Sequence, residues 1–356
     1  MKKILHLFKA EKFTEGFVNL MQDSKYVHTF WVFGEEYLSG QEVYLKRENV
    51  AYYPRIEIKL HKSGTESQLE RFDMIVYHGV FEDEVIKYFC QKKALVKKLA
   101  LVFWGGDKEK ISSWREKTQK RNLMKRELIR NAAAVITLIP QDYAELKRDY
   151  CPKGEHFCAR YYSDAALKSW AEIQNFPQRV KTAVQIQIGN SATETNNHIK
   201  ILNLLAQFKE ENIELYVPLS YGNRNYAEKV KAYGKEIFGH KFIPITEFMT
   251  LEKYNSFMGG MDIAIYAMTR QQALGNISTS MIGGSKVYLQ TNGILWKYFT
   301  ETMKCAVTGI NEIRKMTFEE FIAYPEEKKL KNREIINKFY SRERAVSQWE
   351  DIYAAF

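Results

Sequence analysis

Two rhythms of apolar and polar positions alternate along this chain. Compact apolar runs recur at KKILHLF (2–8), HTFWVFG (28–34), MIVYHGVF (74–81), ALVFWGG (100–106) and AAVITLIP (133–140). Runs of this length, closed by glycine or proline, predict buried strands. Between them lie stretches with a helical period, EDEVIKYFCQKKALVKKL (82–99) and RNLMKRELIRNA (121–132). The acids that open the first of these fall where a helix dipole favours them. After FPQRV (176–180), a polar stretch with a proline, the pattern restarts. VQIQIGNS (184–191), IELYVPLSYG (213–222), HKFIPI (240–245) and DIAIYAM (262–268) predict strands, and TSMIGGSKVYLQ (279–290) a passage from helix to strand. NHIKILNLLAQFKEEN (197–212), NYAEKVKAYGKEIFG (225–239) and LEKYNSFMGGM (251–261) predict helices between them. From Phe318 to the end the chain reads as mostly helical.

Strand–helix alternation of this kind predicts α/β architecture with mostly parallel, doubly wound sheets. The restart predicts two Rossmann-like domains facing a cleft, one over 1–175 and one over 176–330, with a helical tail over 331–356. The length of 356 residues suits two cores better than one. Composition agrees with a globular protein, 45% hydrophobic and 27% charged. No apolar run reaches the roughly 18–20 residues that span a bilayer. The opening MKKILHLFKAEKF is broken by Lys9, Glu11 and Lys12, so it reads as a first strand rather than a signal peptide.

Candidate chemistry gathers at strand ends. In open α/β sheets ligands bind beyond the carboxyl ends of the strands. Strand 184–188 runs into Gly189, Asn190 and Ser191, then Thr193, Thr195 and Asn196 before the next helix. Glycine admits close backbone approach or a positive φ. The hydroxyls and amides offer donors, and a helix N-terminus attracts phosphate. A diphosphate suits such a loop, and so does an ordinary capped turn. Three further strand ends add Ser220, Tyr221, Asn223 and Arg224; Thr269, Arg270, Gln271, Gln272, Gly275 and Asn276; and the turn TNGILW (291–296). Arg270 can clamp a diphosphate with its planar fork, and the glutamines can reach sugar hydroxyls.

Several alternatives lose ground on motif. G-x-G-x-x-G and G-x-x-x-x-G-K-[ST] are both missing, as is Asp-x-Asp. A donor site of Arg, Asn, Ser and backbone amides needs no metal, so no metal or other cofactor is expected. The four cysteines, Cys90, Cys151, Cys158 and Cys305, form no Cys-x-x-Cys pair. Cys151, His156 and Cys158 lack a second pair of ligands for zinc.

The stretches IGNSATETNNH, VPLSYGNRNY and YAMTRQQALGNIS resemble the 4-acetamido-4,6-dideoxygalactose transferase family, the lipid II N-acetylfucosaminyltransferases of common-antigen synthesis. YHGVF (77–81) and FWGGD (103–107) resemble that family's His-Gly and Trp-Gly-x-Asp stretches. Leu-Ser-Tyr-Gly (219–222) stands where the family has Met-Gly-Tyr-Pro, and Ala-Leu-Gly follows Gln272 in place of Gly-Ile-Gly. The resemblance implies a GT-B fold with the donor held mainly by the C-terminal domain. It implies a dTDP-activated deoxyamino sugar as donor and a polyprenyl-diphosphate-linked saccharide as acceptor, at the cytoplasmic face of the inner membrane. It also implies inversion at the anomeric carbon. Two other classes stay open: a GT-B transferase using a UDP- or GDP-sugar, and a non-catalytic sugar-nucleotide-binding protein.

Charge adds a second surface. The chain carries a formal +10, and residues 87–130 hold 14 Lys or Arg against 4 Asp or Glu, which is the whole excess. Lys92, Lys93, Lys97 and Lys98, followed by Trp114 and Arg115, read as a peripheral contact for an anionic membrane or for the acceptor's diphosphate. A solvated helix face is the plain alternative. Helix-turn-helix, RNP and zinc patterns are missing, so nucleic acid is not an expected partner. Inverting transfer needs a base for the acceptor proton and positive charge at the leaving diphosphate. Asp107, at the end of strand 100–106, is the expected base, or else a helix cap. His78 is the alternative base or a ligand contact. Arg270 is the expected leaving-group clamp, helped by Asn190 and Ser191.

Overall fold

The computed structural model describes residues 1–11, 13–35, 43–108, 115–175 and 181–356. Its contacts divide the chain into two compact units, Met1–Ser163 with Tyr340–Phe356, and Asp164–Phe339.

The first unit is built on seven strands, β1 Lys3–Lys9, β2 Val27–Phe33, β3 Val50–Tyr53, β4 Met74–His78, β5 Leu99–Phe103, β6 Ala134–Thr137 and β7 Glu155–Cys158. They run in the order β3-β2-β1-β4-β5-β6-β7, and every pair is parallel. A parallel sheet is covered on both faces, which is why its central strands are apolar at nearly every position. Leu5, Leu7, Trp31, Tyr77, Leu101 and Val135 fill one face. Ile4, Phe8, Phe30, Val76 and Val102 fill the other, under the helices Thr14–Leu20 and Arg342–Ala355.

The second unit repeats the plan with β8 Val184–Ile188, β9 Ile213–Pro218, β10 Phe242–Ile245, β11 Ile263–Tyr266, β12 Lys286–Leu289 and β13 Thr308–Gly309. Their order is β10-β9-β8-β11-β12-β13, again parallel throughout. Each sheet therefore reverses direction once, between β1 and β4 and between β8 and β11. The crevice beyond the carboxyl ends at such a reversal is where doubly wound folds bind ligands.

The unit boundaries differ from the expected 1–175, 176–330 and 331–356. The helix Asp164–Asn175 packs in the second unit, where the Trp170 indole donates to Thr279 Oγ1 at 2.8 Å. Glycines make room for it: a Cβ on Gly259 would stand 2.6 Å from Ile173, and one on Gly283 would stand 2.7 Å from Gly259. The helix Glu326–Phe339 also packs there, and its Arg333 Nε donates to the Ile282 carbonyl at 2.8 Å. Only the last helix leaves the second unit. Trp349 is fully buried on the first sheet, its indole donating to the Arg160 carbonyl at 3.0 Å. An amphipathic helix carries no mark of which sheet it will cover, so the sequence pattern alone could not place these segments. The expected boundary stretch 176–180 lies outside the described residues.

Candidate functional site

At the reversal in the second sheet, β8 and β11 lie side by side, with Ile188 opposite Ile265. Gly189 then turns with φ +68°. A side chain there would be strained, and its Cβ would stand 2.6 Å from His198 Nε2 and 2.8 Å from Asn196 Oδ1. Glycine is thus required twice over at this one position.

The loop is held by its own amides and hydroxyls. Asn196 is fully buried; its Oδ1 accepts from the Asn190 amide at 3.1 Å, and its Nδ2 donates to the Ser191 carbonyl at 3.0 Å and Thr193 Oγ1 at 2.8 Å. Ser191 and Thr193 share a hydroxyl contact at 3.0 Å. The chain beyond β11 joins this network through Gln272. Its Nε2 donates to Asn190 Oδ1 at 3.0 Å, and its Oε1 accepts from Thr195 Oγ1 at 2.8 Å. Tyr221, beyond β9, accepts from Asn190 Nδ2 at 3.0 Å and remains 53% exposed. Burial raises the Tyr221 phenol, against hydrogen bonds with Asn190 and Ser191 that lower it, so it stays neutral. Three separate strand ends therefore converge on Asn190.

The structure brings together Gly189, Asn190, Ser191, Thr193, Asn196, Tyr221 and Gln272. Arg270 and Gln271 lie in the same turn beyond β11, Arg270 half-buried and Gln271 buried. Gly275 and Asn276 stand in the first turn of the helix Leu274–Gly283. Asn276 Nδ2 donates to the Tyr254 hydroxyl at 3.1 Å. Gly275 is exposed, and a Cβ on it would meet nothing within 4 Å. Sequence reasoning missed the layer beneath. Gln187 Nε2 donates to the Gly189 carbonyl at 3.0 Å and Tyr266 hydroxyl at 3.3 Å, and Tyr266 meets Ser280 Oγ at 3.0 Å. The signal was present, since a glutamine at an inward position of VQIQI has to be satisfied inside. Asn197 was also missed: with φ +53°, it starts the helix His198–Leu205 and ties to the Ala267 carbonyl at 3.0 Å.

In the first unit the two expected catalytic residues, Asp107 and His78, occupy interior positions. The Asp107 carboxylate accepts from the amides of Trp104 at 2.8 Å, Gly105 at 2.9 Å and Val80 at 3.0 Å. Its carbonyl accepts from the Lys125 ammonium. With 1% of its surface exposed, it braces the turns after β4 and β5 together. Two of the three amides meet Oδ1 and one meets Oδ2. Burial is the largest influence on its pKa and raises it. His78 is fully buried, its Nδ1 2.6 Å from the Tyr161 hydroxyl and its Nε2 3.0 Å from His6 Nδ1. Burial holds it well below the usual imidazole range, so it is neutral and occupied on both nitrogens.

Part of the basic segment is spent inside its own unit. Lys92 pairs with Glu66 at 2.5 Å, and Lys98 donates to the carbonyls of Glu70 and Phe72 at 2.9 and 3.0 Å. Lys108 is tied to Asp142 and, at 2.6 Å, to Glu145, while Arg121 pairs with Asp83. Lys93 and Lys97 are exposed. Arg115 is exposed at the start of the helix Glu116–Asn131, and Trp114 lies outside the described residues. Among the described residues no helix is long and apolar enough to cross a membrane.

Comparison with known proteins accords with this geometry. A family model described as 4-alpha-L-fucosyltransferase, glycosyl transferase group 56, matches residues 11–320. Among solved structures, a glycosyltransferase from Rickettsia africae is similar at 12% identity and TM-score 0.66, over 99% of this chain and 97% of that one. Anabaena Alr3699/HepE in complex with UDP and glucose is similar at 10% identity and TM-score 0.63, over the whole of both chains. Sucrose-phosphate synthase from Thermosynechococcus elongatus is similar at 13% identity and TM-score 0.63, over 100% of this chain and 99% of that one. At these identities the likeness establishes the fold, which is GT-B: two parallel-sheet, Rossmann-like domains.

Proposed function

We propose, for a chain that belongs to the 4-alpha-L-fucosyltransferase family and is therefore a GT-B glycosyltransferase using a nucleotide sugar, that the donor is a dTDP-linked deoxyamino sugar of the 4-acetamido-4,6-dideoxygalactose type. The acceptor in this reading is a polyprenyl-diphosphate-linked saccharide, and transfer inverts the anomeric centre. The observation that carries the reading is the convergence on Asn190: Gln272 from beyond β11 and Tyr221 from beyond β9 both bond its side chain. Neutral amides and hydroxyls at a strand reversal suit a diphosphate and a sugar without adding charge of the wrong sign. Arg270 in the same turn supplies positive charge for the leaving diphosphate, and the first turn of Leu274–Gly283 supplies a helix dipole.

This donor set contains no carboxylate to hold a divalent ion between protein and diphosphate, so donor binding is proposed to be metal-independent. Lys93 and Lys97, exposed beside the buried Leu95 and Val96, are proposed to hold the enzyme peripherally at an anionic inner-membrane surface.

Calorimetric titration with dTDP, UDP and GDP, in magnesium and then in EDTA, tests the reading. Tight dTDP binding that EDTA leaves unchanged is the expected result. Preference for UDP or GDP would replace the donor while leaving the reaction class, and binding of none would sink the donor site.

A further inference from the structure

The turn that carries Arg270, residues 267–273, joins β11 to the helix Leu274–Gly283 and is tied to its neighbours along its length. At its start the Ala267 carbonyl accepts from Asn197 Nδ2 at 3.0 Å. In its middle the Thr269 carbonyl accepts from the Ile294 amide at 3.0 Å. Near its end Gln272 bonds Asn190 and Thr195 in the loop after β8. The Ile294 contact comes from the turn TNGILW after β12, and Gly293 lets that turn close in. A Cβ on Gly293 would stand 3.0 Å from both the Met268 carbonyl oxygen and the Thr269 Cα. Ala273 closes the segment with φ +61°, a left-handed conformation uncommon for a residue with a side chain.

Asn197 holds the first of these ties. Its own backbone is left-handed, at φ +53°, a conformation asparagine tolerates better than most residues. That conformation ends the single helical turn Glu194–Asn196 and starts the helix His198–Leu205 within one residue. The side-chain amide then bridges two strand ends. Its nitrogen donates to the Thr195 carbonyl at 3.1 Å, in the loop after β8, and to the Ala267 carbonyl, beyond β11. An amide nitrogen has two hydrogens, and two carbonyls are there to take them.

Both acceptors are main-chain groups, so what Asn197 fixes is the path of the backbone. Asn197 is itself exposed, so its amide adds no core packing. Arg270 follows Ala267 by three residues on the path so fixed. A guanidinium clamps a diphosphate through the placement of its planar fork, and freedom in the backbone that carries it is lost on binding at a cost in affinity.

We propose that Asn197 is a positioning residue: through the Ala267 carbonyl it holds the turn from which Arg270 meets the donor's diphosphate. This role rests on the donor reading above, and it works through Arg270 rather than through contact between Asn197 and the ligand.

The test is a double-mutant cycle on the full chain, with dTDP affinity measured by calorimetry for wild type, Asn197→Gly, Arg270→Ala and the double variant. Glycine accepts φ +53° without strain, so any loss belongs to the side-chain amide. Asn197→Gly is expected to weaken binding about fivefold in the wild-type background, the scale of one or two neutral hydrogen bonds. In the Arg270→Ala background the same change should cost less than about twofold, because the group it positions is gone. A fivefold loss that persists without Arg270 would overturn the role, since Asn197 would then act on the nucleotide by another route. Unchanged affinity in Asn197→Gly, with Arg270→Ala still weakened, would overturn it and leave the donor site standing. Binding of no nucleotide by the wild type, or full affinity in Arg270→Ala, would remove the donor reading or its clamp and this role with it.

Discussion

The two sheet reversals share one strand order and carry opposite chemistry. Beyond β8 and β11, side chains that do not titrate near neutrality form the lining: Asn190, Ser191, Thr193, Asn196 and Gln272 bond one another across loops. Beyond β1 and β4, the lining is aromatic, backed by three buried histidines and a carboxylate bonded to three amides. An amide can turn either a donor or an acceptor outward, so the first arrangement can rearrange around a ligand. In a row of neutral imidazoles bonded end to end the rings must share one direction of donation, so the second arrangement is cooperative. The same fold thus carries a polar, hydrogen-bonded loop lining in one unit and a largely aromatic one in the other.

The comparison breaks most sharply at Gly189. Gly189→Ala is expected to cost ~2–4 kcal/mol, because a side chain there combines a strained φ with a collision against His198. Urea unfolding should show the loss, and calorimetry should show dTDP binding abolished. A normal unfolding midpoint would mean that the loop relaxes and the glycine is not needed.

Acid separates the two regions next. Burial holds His28 at about 4 and both His6 and His78 well below their ordinary value. Each binds a proton more weakly folded than unfolded. Their contribution is therefore complete above the unfolded pKa near 6.5 and declines as pH falls toward 4. For His28 alone the loss approaches about 3 kcal/mol at the low end. Hydrogen exchange at pH 5 against pH 7 should show protection falling first in β1, β2, β4 and the helix Arg342–Ala355. Earlier loss in the second unit, whose His198 stands at about 4, would reverse the contrast.

Asp107→Asn is expected to cost about 1–3 kcal/mol, since an amide group cannot accept from all three backbone partners. It should leave dTDP affinity intact. Unchanged stability with transfer abolished would instead mark Asp107 as the base. Arg270→Ala is expected to weaken dTDP binding roughly tenfold while sparing stability, the loss of one charge-assisted clamp. Equal affinity in wild type and variant would remove the clamp. The smallest effect per residue concerns the membrane face. Lys93→Glu with Lys97→Glu should reduce binding to anionic vesicles by about 1 kcal/mol per residue, and high salt should erase the difference. Lys92 and Lys98 are poorer probes because they hold Glu66 and two carbonyls.

Much of this was legible before the fold. The alternating runs announced β1, β2, β4, β5 and β6, and β8 to β12, because strands buried on both faces must be apolar throughout. The edge strands β3 and β7 were not announced: four residues each, partly exposed, they carry too little pattern. The donor loop was legible because Gly-Asn-Ser at a strand end is chemically marked. Asn190 and Gln272 were both named from sequence, but nothing in a separation of 82 residues says that their side chains meet.

The histidines show the limit most plainly. His6, His28 and His78 each interrupt an apolar run, so each could have been read singly as a buried polar residue needing a partner. That they are one another's partners depends on strand order, since β2, β1 and β4 become neighbours only once the sheet has reversed. The same holds for Asp107, whose position after a strand suggested exposure at the edge until two turns folded their amides onto it. The sequence by itself determined the two-unit α/β plan, the polar donor loop and the location of the net charge, because these follow from local periodicity and residue chemistry. The tertiary structure decided which lysines are already paired, which sheet each terminal helix covers, and which polar groups are spent inside. Those are properties of neighbours in space, and in a parallel sheet neighbours in space come from distant parts of the chain.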